Sequence, residues 1–441
     1  MSIEKMNAMN AAVCQCGKTH SFSAKICIGN GVISQIPDYI RQYNAGKVFV
    51  LSDRNTYAAA GAQVCNILEE NHIPFSSYSF THFPVEPDEY SVGGAFMHFD
   101  PACDFIIGVG SGVINDIGKL LSCHCAKPYM IVATAPSMDG YASATSSMTR
   151  DGLKISLPSR GADVILGDTE ILRQAPLHMM KSGLGDMLAK YVSICEWRIA
   201  HLVTGEYYCE EVAGLIRSAL QRCIDHAPGL LLRDETAVQA VFEGLVIGGV
   251  AMNYAGLSRP ASGVEHYISH ILDMRGVEFG TPVDLHGIQC AIGTLIAVQL
   301  YEKLKSILPN RKKALSYVAR FDYTAWSKTL RSLLGKGAES MIALEEKEKK
   351  YDKAMHAKRL EIITQNWDAI LQIIDEELPC AHELETILEQ IDAPKTLTAI
   401  GIDADMLPVI FAATKDIRDK YVLSRLVWDL GILDEFTQAC S

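Results

Sequence analysis

DFIIGVGSGVINDIGK (residues 104–119) passes from an apolar run, through glycines at 108, 110 and 112, into a helical pattern. A strand that ends in a glycine turn and opens a helix lets backbone approach a ligand closely. It also leaves the first helical N–H groups for an anion. Outward from this stretch the same alternation recurs. KICIG (25–29), KVFVLS (47–52), SSYSF (76–80), DFIIGVG (104–110) and YMIVATA (129–135) are β-rich runs separated by helical stretches. Such alternation predicts a parallel, Rossmann-like sheet covered on both faces, with ligands beyond the carboxyl ends of its strands.

From about Thr169 the strand signals almost stop. GLGDMLAKYVSICEW (183–197), EEVAGLIRSALQRCI (210–224), AVQAVFEGLVIGGVAMN (237–253) and GIQCAIGTLIAVQLYEKL (287–304) read as helices. The expected organisation is an α/β dinucleotide-binding domain over 1–168 and an all-α metal- and substrate-binding domain over 169–441. Charge-rich LEEKEKKYDKAMHAKRL (344–360) reads as a solvated helix face.

Composition narrows the function. With 49% apolar and 21% charged residues the chain can bury a substantial core. A net charge of −12 argues against a nucleic-acid partner, although a local cluster of donors can still hold a small anion. No apolar run approaches the roughly 20 residues of a membrane span, and MSIEKMNAMNAAV lacks the pattern of a signal peptide. Thirteen cysteines therefore read as reduced thiols, and the expected compartment is the cytoplasm.

The glycine loop departs from the Rossmann fingerprint. Val113 stands where a third glycine belongs, and no acidic residue sits about 20 positions on. An acidic residue instead ends an earlier strand, Asp53 in VFVLSDRNT, where it could accept hydrogen bonds from a ribose. ATAPSMDGYAS (133–143) is a third loop, rich in small hydroxyl residues. Three such loops after strands point to a dinucleotide laid across the strand ends.

In the second half, SGVEHYISH (262–270) sets His266 and His270 four apart, on one helix face. Tyr267 occupies the place of the general-base glutamate of a zinc protease, so this is not that motif. Ser262-x-x-Glu265 after Pro260 reads as a capping box that starts the helix at Ser262. SGLGD (182–186) and TPVDLHG (281–287) likewise put Asp186 and His286 near expected helix starts. An Asp-His-His set leaves coordination positions open, as a catalytic zinc-type site does. Spacing does not decide against the plainer readings, a helix-capping aspartate and histidines of core or surface. Cys14-Gln-Cys16-Gly-Lys-Thr-His20 is half a zinc knuckle without a second half, and reads as a hairpin carrying thiols. Cys123, His124 and Cys125 fall in a predicted helix, where neighbours diverge around the axis.

The sequence resembles the sn-glycerol-1-phosphate dehydrogenase family, in its bacterial branch, within the fold group of dehydroquinate synthases and iron-type alcohol dehydrogenases. GVGSGVINDIGK (108–119), ATAPSMDGYASATSSM (133–148), GLGDMLAKYVS (183–193), SRPASGVEHYISHILD (258–273) and LHGIQCAIGT (285–294) carry the resemblance, with IRDKYVLSRL (417–426) near the end. It implies metal ligands at Asp186, His266 and His286, and substrate-facing groups at Asp139, Asp186 and His270. It implies NAD contacts at Asp53, at Gly110, Ser111, Gly112, Val113, Ile114, Asn115 and Asp116, at Thr134, Ala135, Pro136 and Ser137, and at Ser143. Many relatives have consecutive glycines where this chain reads Gly110-Ser-Gly112.

The implied reaction is reversible reduction of dihydroxyacetone phosphate by NADH or NADPH to sn-glycerol 1-phosphate. One divalent metal would polarise the carbonyl, and His270 would bind substrate or relay a proton. Zinc or nickel is expected ahead of iron. Asp53 favours NAD(H), with NADP(H) as a second cofactor. Arg259 and the N–H groups at the start of the helix expected at Ser262, beside the metal motif, are the expected donors to the substrate phosphate. A homodimer is expected. A glycerol or polyol dehydrogenase of the same fold group, and a dehydroquinate-synthase-like lyase, are the alternatives.

Overall fold

Six short apolar runs build one parallel sheet in the computed structural model, which describes residues 2–438. They are β1 (Lys25–Gly29), β2 (Val48–Asp53), β3 (Phe75–Phe80), β4 (Phe105–Gly110), β5 (Tyr129–Ala133) and β8 (Val164–Asp168). β4, β5 and β8 are buried along their whole length, which suits strands that read as continuous apolar runs. Val50, Ile107, Val109, Val132 and Leu166 share a core with Ile36, Ile40, Val64 and Leu68 from the covering helices. The expected runs all appear, with ends shifted by one or two residues.

Two pieces fall outside the expected runs. β8 inserts between β1 and β5, and β6 (Thr145–Arg150) pairs antiparallel with β7 (Leu153–Pro158). Asp151-Gly152 turns that hairpin with both residues at positive φ, the geometry that an Asp-Gly pair favours.

The strand order β1-β8-β5-β4-β2-β3 places the ligand end of the sheet. From β2 the chain adds β3 on one side, then returns past β2 to β4 and runs away through β5 and β8. The order therefore reverses between β2 and β4, whose carboxyl ends are Asp53 and Gly110. Such a switch point is where open α/β sheets bind ligands. Thr134 donates its N–H to the Gly110 carbonyl at 3.1 Å, so the loop after β5 begins beside the loop after β4.

Among the described residues no strand follows Asp168. The helices that concern the sites are α1 (Gly112–Cys125), α2 (Leu177–Leu188), α3 (Lys190–Thr204), α4 (Glu235–Ala255), α5 (Val264–Phe279) and α6 (His286–Leu304). The chain forms two compact units. One holds the residues up to Met187 together with Gly214–Gly256, and the other holds Leu188–Ala213 and the chain from Leu257 on. The division therefore does not fall at 168. Gly183 of α2 lies so close to the loop after β5 that a Cβ there would sit 1.9 Å from the Pro136 carbonyl oxygen. Phe242 of α4 fills the space above Gly167 of β8. These contacts join both helices to the sheet.

Two further expectations are corrected. α4 has the length and apolarity of a membrane span, which no run was expected to reach, but 78% of its apolar window is buried, as in a core helix. The stretch 344–360 is not one solvated helix. Lys349 turns left-handed, Asp352 caps a new helix, and Lys350 is drawn inside against the Arg418 carbonyl.

Lys119 of α1 is fully buried and ties the sheet's loops together. Its ammonium donates to the carbonyls of Gly140 (3.2 Å) and Thr145 (2.5 Å) and pairs with Asp116 at 2.9 Å. Removing one partner of a buried ion pair costs about 3–5 kcal/mol. Lys119→Met should therefore lower the denaturant midpoint markedly; an unchanged midpoint would show that the clamp carries no stability.

Candidate metal centre and nucleotide loops

In the second unit, α5 and α6 form an antiparallel pair, with Glu265 opposite Gly293 and Ser269 opposite Gln289. The helices approach closely because position 293 has no side chain. A Cβ there would lie 2.8 Å from the Glu265 carbonyl oxygen. One face of α5 carries His266, Ser269, His270 and Asp273, and the facing side of α6 carries His286, Gln289 and Cys290. Spacings of three and four bring these residues to the same stripe.

The α5 helix starts at Val264 with Gly263 as its cap, not at Ser262, which is extended. The reason lies in two buried carboxylates. Glu265 bends back so that its Oε1 accepts the Gly263 N–H at 2.7 Å, and Glu196 of α3 accepts the Val264 N–H at 2.9 Å. A Cβ at 263 would meet both carboxylates within 2.7 Å, so glycine is required there. Glu196 also accepts the Leu423 N–H (2.7 Å) and the Tyr301 hydroxyl (3.3 Å). Burial, then the charge of Glu265, pushes the Glu196 carboxyl up to about 8.

Glu265 Oε1 takes a second hydrogen, from Nδ1 of His266 at 2.7 Å. His266, in the first turn as expected, thus turns its Nε2 away from Glu265 as an acceptor. His286, the first residue of α6, has Nδ1 hydrogen-bonded with Ser269 Oγ at 3.1 Å. Gln289 donates to Ser269 and to Asp273, which fixes that serine. A carboxylate or hydroxyl on one ring nitrogen, with the other turned inward, is how metal-ligating histidines are oriented. The rings of His266 and His286 lie 5.0 Å apart, and His270 lies 6.4 and 6.0 Å from them.

The sequence reading missed Cys290. Its Sγ is 3.6 Å from His286 Nε2, and ligand atoms of His266, His286 and Cys290 all fall within 4.8 Å of one another. This donor set fits a borderline divalent ion. The signal was present as the four-residue step from His286 in HGIQC.

Arg259 does not have the role expected of it. It is 1% exposed, its guanidinium forks onto Glu206 (2.8 and 2.6 Å), and Nη1 donates to the Tyr421 carbonyl at 2.9 Å. With these donors engaged inside the protein, Arg259 anchors the 258–263 segment instead of receiving a phosphate. Lys420 holds the same segment through the carbonyls of Ser258 and Ser262.

In the first unit, Asp186 lies in the third turn of α2, not at a helix start, and it is fully buried. Its Oδ2 accepts the Asp139 N–H at 2.9 Å. Ser182, one turn earlier, donates to the Ser137 carbonyl at 2.9 Å. Ser182, Gly183 and Asp186 thus form a helix face moulded to residues 136–139, which brings Asp139 and Asp186 together.

The loops expected to bind the nucleotide lie at the switch point. Asp53 caps the turn after β2, with Oδ1 accepting the N–H groups of Asn55 and Thr56 at 2.7 and 2.8 Å. Gly110 and Ser111 lead into α1, where Ser111 makes no side-chain cap and the N–H groups of Gly112, Val113 and Ile114 have no intrahelical acceptor. At Gly112 a Cβ would come into ordinary contact with Met138, at 3.4 Å. Gly108 serves another purpose, because it and Gly118 make room for the Tyr129 ring. Asn115 and Asp116 turn their side chains inward, to the Gly140 carbonyl and the Ser147 N–H. Thr134, Ala135, Ser137 and Ser143 are buried; Ala135 accepts from Tyr141, and Ser143 caps its own turn at Thr145.

Residues 27–176 match the family model described as iron-containing alcohol dehydrogenase. An NAD(P)+ glycerol-1-phosphate dehydrogenase of Halalkalibacterium halodurans is 31% identical over 297 residues, 66% of this chain and 74% of that protein. One of Methanosarcina barkeri is 33% identical over 277 residues, 63% of this chain and 76% of the relative. The chain belongs to the glycerol-1-phosphate dehydrogenase family. Maleylacetate reductase of Agrobacterium tumefaciens shares the fold, with a TM-score of 0.63 at 14% identity over 95% of both chains. For a glycerol-1-phosphate dehydrogenase family member, the α/β sheet followed by helices is the expected architecture.

Two tests follow from this geometry. Glu265→Gln keeps an acceptor for His266 but removes the charge, and should weaken metal binding about 10- to 100-fold in a chelator competition; unaltered affinity would remove Glu265 from the centre. Burial, then the charges of Arg259 and Arg418, pulls the Lys420 ammonium from 10.5 down to about 7. A depressed lysine contributes stability that is present above its ordinary range and lost as pH falls through about 7. Between about pH 7 and about pH 9 the wild-type unfolding midpoint should climb relative to that of Lys420→Met, although Glu196, held up to about 8, works against the climb in both. An equal slope in the variant would contradict the assignment.

Proposed function

We propose that this chain reversibly reduces dihydroxyacetone phosphate to sn-glycerol 1-phosphate with NADH or NADPH, using one divalent metal held by Asp186, His266 and His286. The observation that carries the reading is the pair of imidazoles whose Nδ1 atoms are held by Glu265 and Ser269. It occurs in a chain whose relatives are named for this reaction. The Asp139 N–H fixes the orientation of the Asp186 carboxylate, which supports its part as third ligand. When bound, the ion supplies Lewis-acid polarisation of a ketone, and the nicotinamide supplies the hydride.

The chain's own groups do the rest. His270 binds the substrate and passes a proton to its oxygen, one helical turn from His266. Asp139 orients a substrate hydroxyl. The N–H groups of Gly112 to Ile114, with Gly110 and Ser111, receive the cofactor's pyrophosphate, flanked by the loop Thr134–Ser137 and Ser143. Asp53 uses Oδ1 for its cap and offers Oδ2 to the ribose. A carboxylate there repels a 2′-phosphate, so NAD(H) is preferred and NADP(H) accepted. Zinc or nickel suits imidazole and carboxylate together, and the thiol of Cys290 favours them over harder ions. The working form we propose is a cytoplasmic homodimer.

The test is NADH oxidation with dihydroxyacetone phosphate against dihydroxyacetone. Stoichiometric NADH consumption, with kcat/KM about 100-fold lower for the unphosphorylated ketone, is expected. Equal values would make it a polyol dehydrogenase, and no net NADH consumption would make it a lyase. His266→Ala should lose metal and turnover while still binding NADH, and Asp53→Ala should narrow the preference for NADH over NADPH.

A further inference from the structure

Cys14-Gln-Cys-Gly-Lys-Thr-His20 folds as a tight hairpin in the first unit. Val13 bridges Thr19, Cys14 donates its N–H to the Lys18 carbonyl at 2.9 Å, and Gly17 donates to the Cys14 carbonyl at 2.9 Å. Gly17 sits at φ 82°, a left-handed conformation that glycine adopts at little cost. The turn gathers three donor side chains. Ligand atoms of Cys14, Cys16 and His20 lie within 4.8 Å of one another, and Cys14 and His20 are 5% and 1% exposed.

The details match a metal knuckle. The Cys16 N–H points at Cys14 Sγ at 3.4 Å, a contact that stabilises a thiolate. His20 Nδ1 is 2.9 Å from the Tyr254 carbonyl. A carbonyl can only accept, so the proton sits on Nδ1 and Nε2 presents its lone pair. That Nε2 is 3.6 Å from Cys16 Sγ. Zinc–sulfur and zinc–nitrogen bonds of about 2.3 and about 2.0 Å, set at the tetrahedral angle, hold S and N about 3.5 Å apart. A thiol–imidazole hydrogen bond alone would explain Cys16 and His20. It would not explain a third soft donor, with an N–H aimed at its sulfur, at the same point.

We propose that Cys14, Cys16 and His20 bind a structural zinc ion, distinct from the metal of the reaction. Through His20 the ion fastens the hairpin to Tyr254 at the end of α4, whose hydroxyl donates to the Met6 carbonyl at 3.0 Å.

The experiment is metal analysis of the full-length protein purified without a tag or chelating resin. Wild type should carry two metal equivalents per chain and His266→Ala one. Cys14→Ser/Cys16→Ser should lose one equivalent and keep turnover. Cobalt loaded into Cys290→Ala protein, in which the thiol beside His286 is absent, should show a thiolate-to-cobalt charge-transfer band, so the test stands even if the double variant does not fold. No such band, or metal content unchanged by the double substitution, would overturn the site.

Discussion

One carboxylate oxygen organises the candidate metal centre. Glu265 Oε1 accepts the N–H of Gly263 and the Nδ1–H of His266 at the same distance, 2.7 Å. The first bond begins helix α5 and the second aims the imidazole, so the helix start and the orientation of His266 are set together. Glu265 can lie there only because Gly263 and Gly293 have no side chains, and because Glu196 satisfies the next N–H of the same helix. Two buried carboxylates so near each other repel. The N–H groups around them, with Arg259 and Lys420 nearby, offset much of that cost.

The nucleotide end rests on a different constraint, the order of strands. Reversal between β2 and β4 opens a crevice at the carboxyl ends of both strands, whatever the side chains. Lys119, buried beneath, holds residues 140–145 to α1 through carbonyls that no capping motif in the sequence foretells. The face Ser182-Gly183-Asp186 shapes the loop after β5 from the other side, and a larger residue at 183 would drive it off.

The inner strands β2, β4 and β5 were legible in the sequence because they are buried on both faces and so read as nearly unbroken apolar runs, while the half-buried edges β1 and β3 showed as short β-rich runs. His266 and His270 stood out by their four-residue spacing, and His286 by its place at an expected helix start and in the resemblance. Cys290 stands four residues from His286 within LHGIQCAIGT, but the resemblance implies no ligand there. Arg259 was misassigned because a sequence shows an arginine near a motif, not that Glu206, 53 residues away, already holds its guanidinium. Ser262-x-x-Glu265 misled for a related reason. The glutamate bends toward Gly263 and His266 instead of reaching a serine cap.

The central claim is that one ion sits on His266 and His286 with Asp186 completing the set. Anomalous diffraction from crystals of protein purified with its native metal, recorded on both sides of that metal's absorption edge, tests it most directly. The account predicts an anomalous peak within bonding distance of the Nε2 atoms of His266 and His286 and of the Asp186 carboxylate. A metal-loaded crystal with no peak at those two histidines would contradict it.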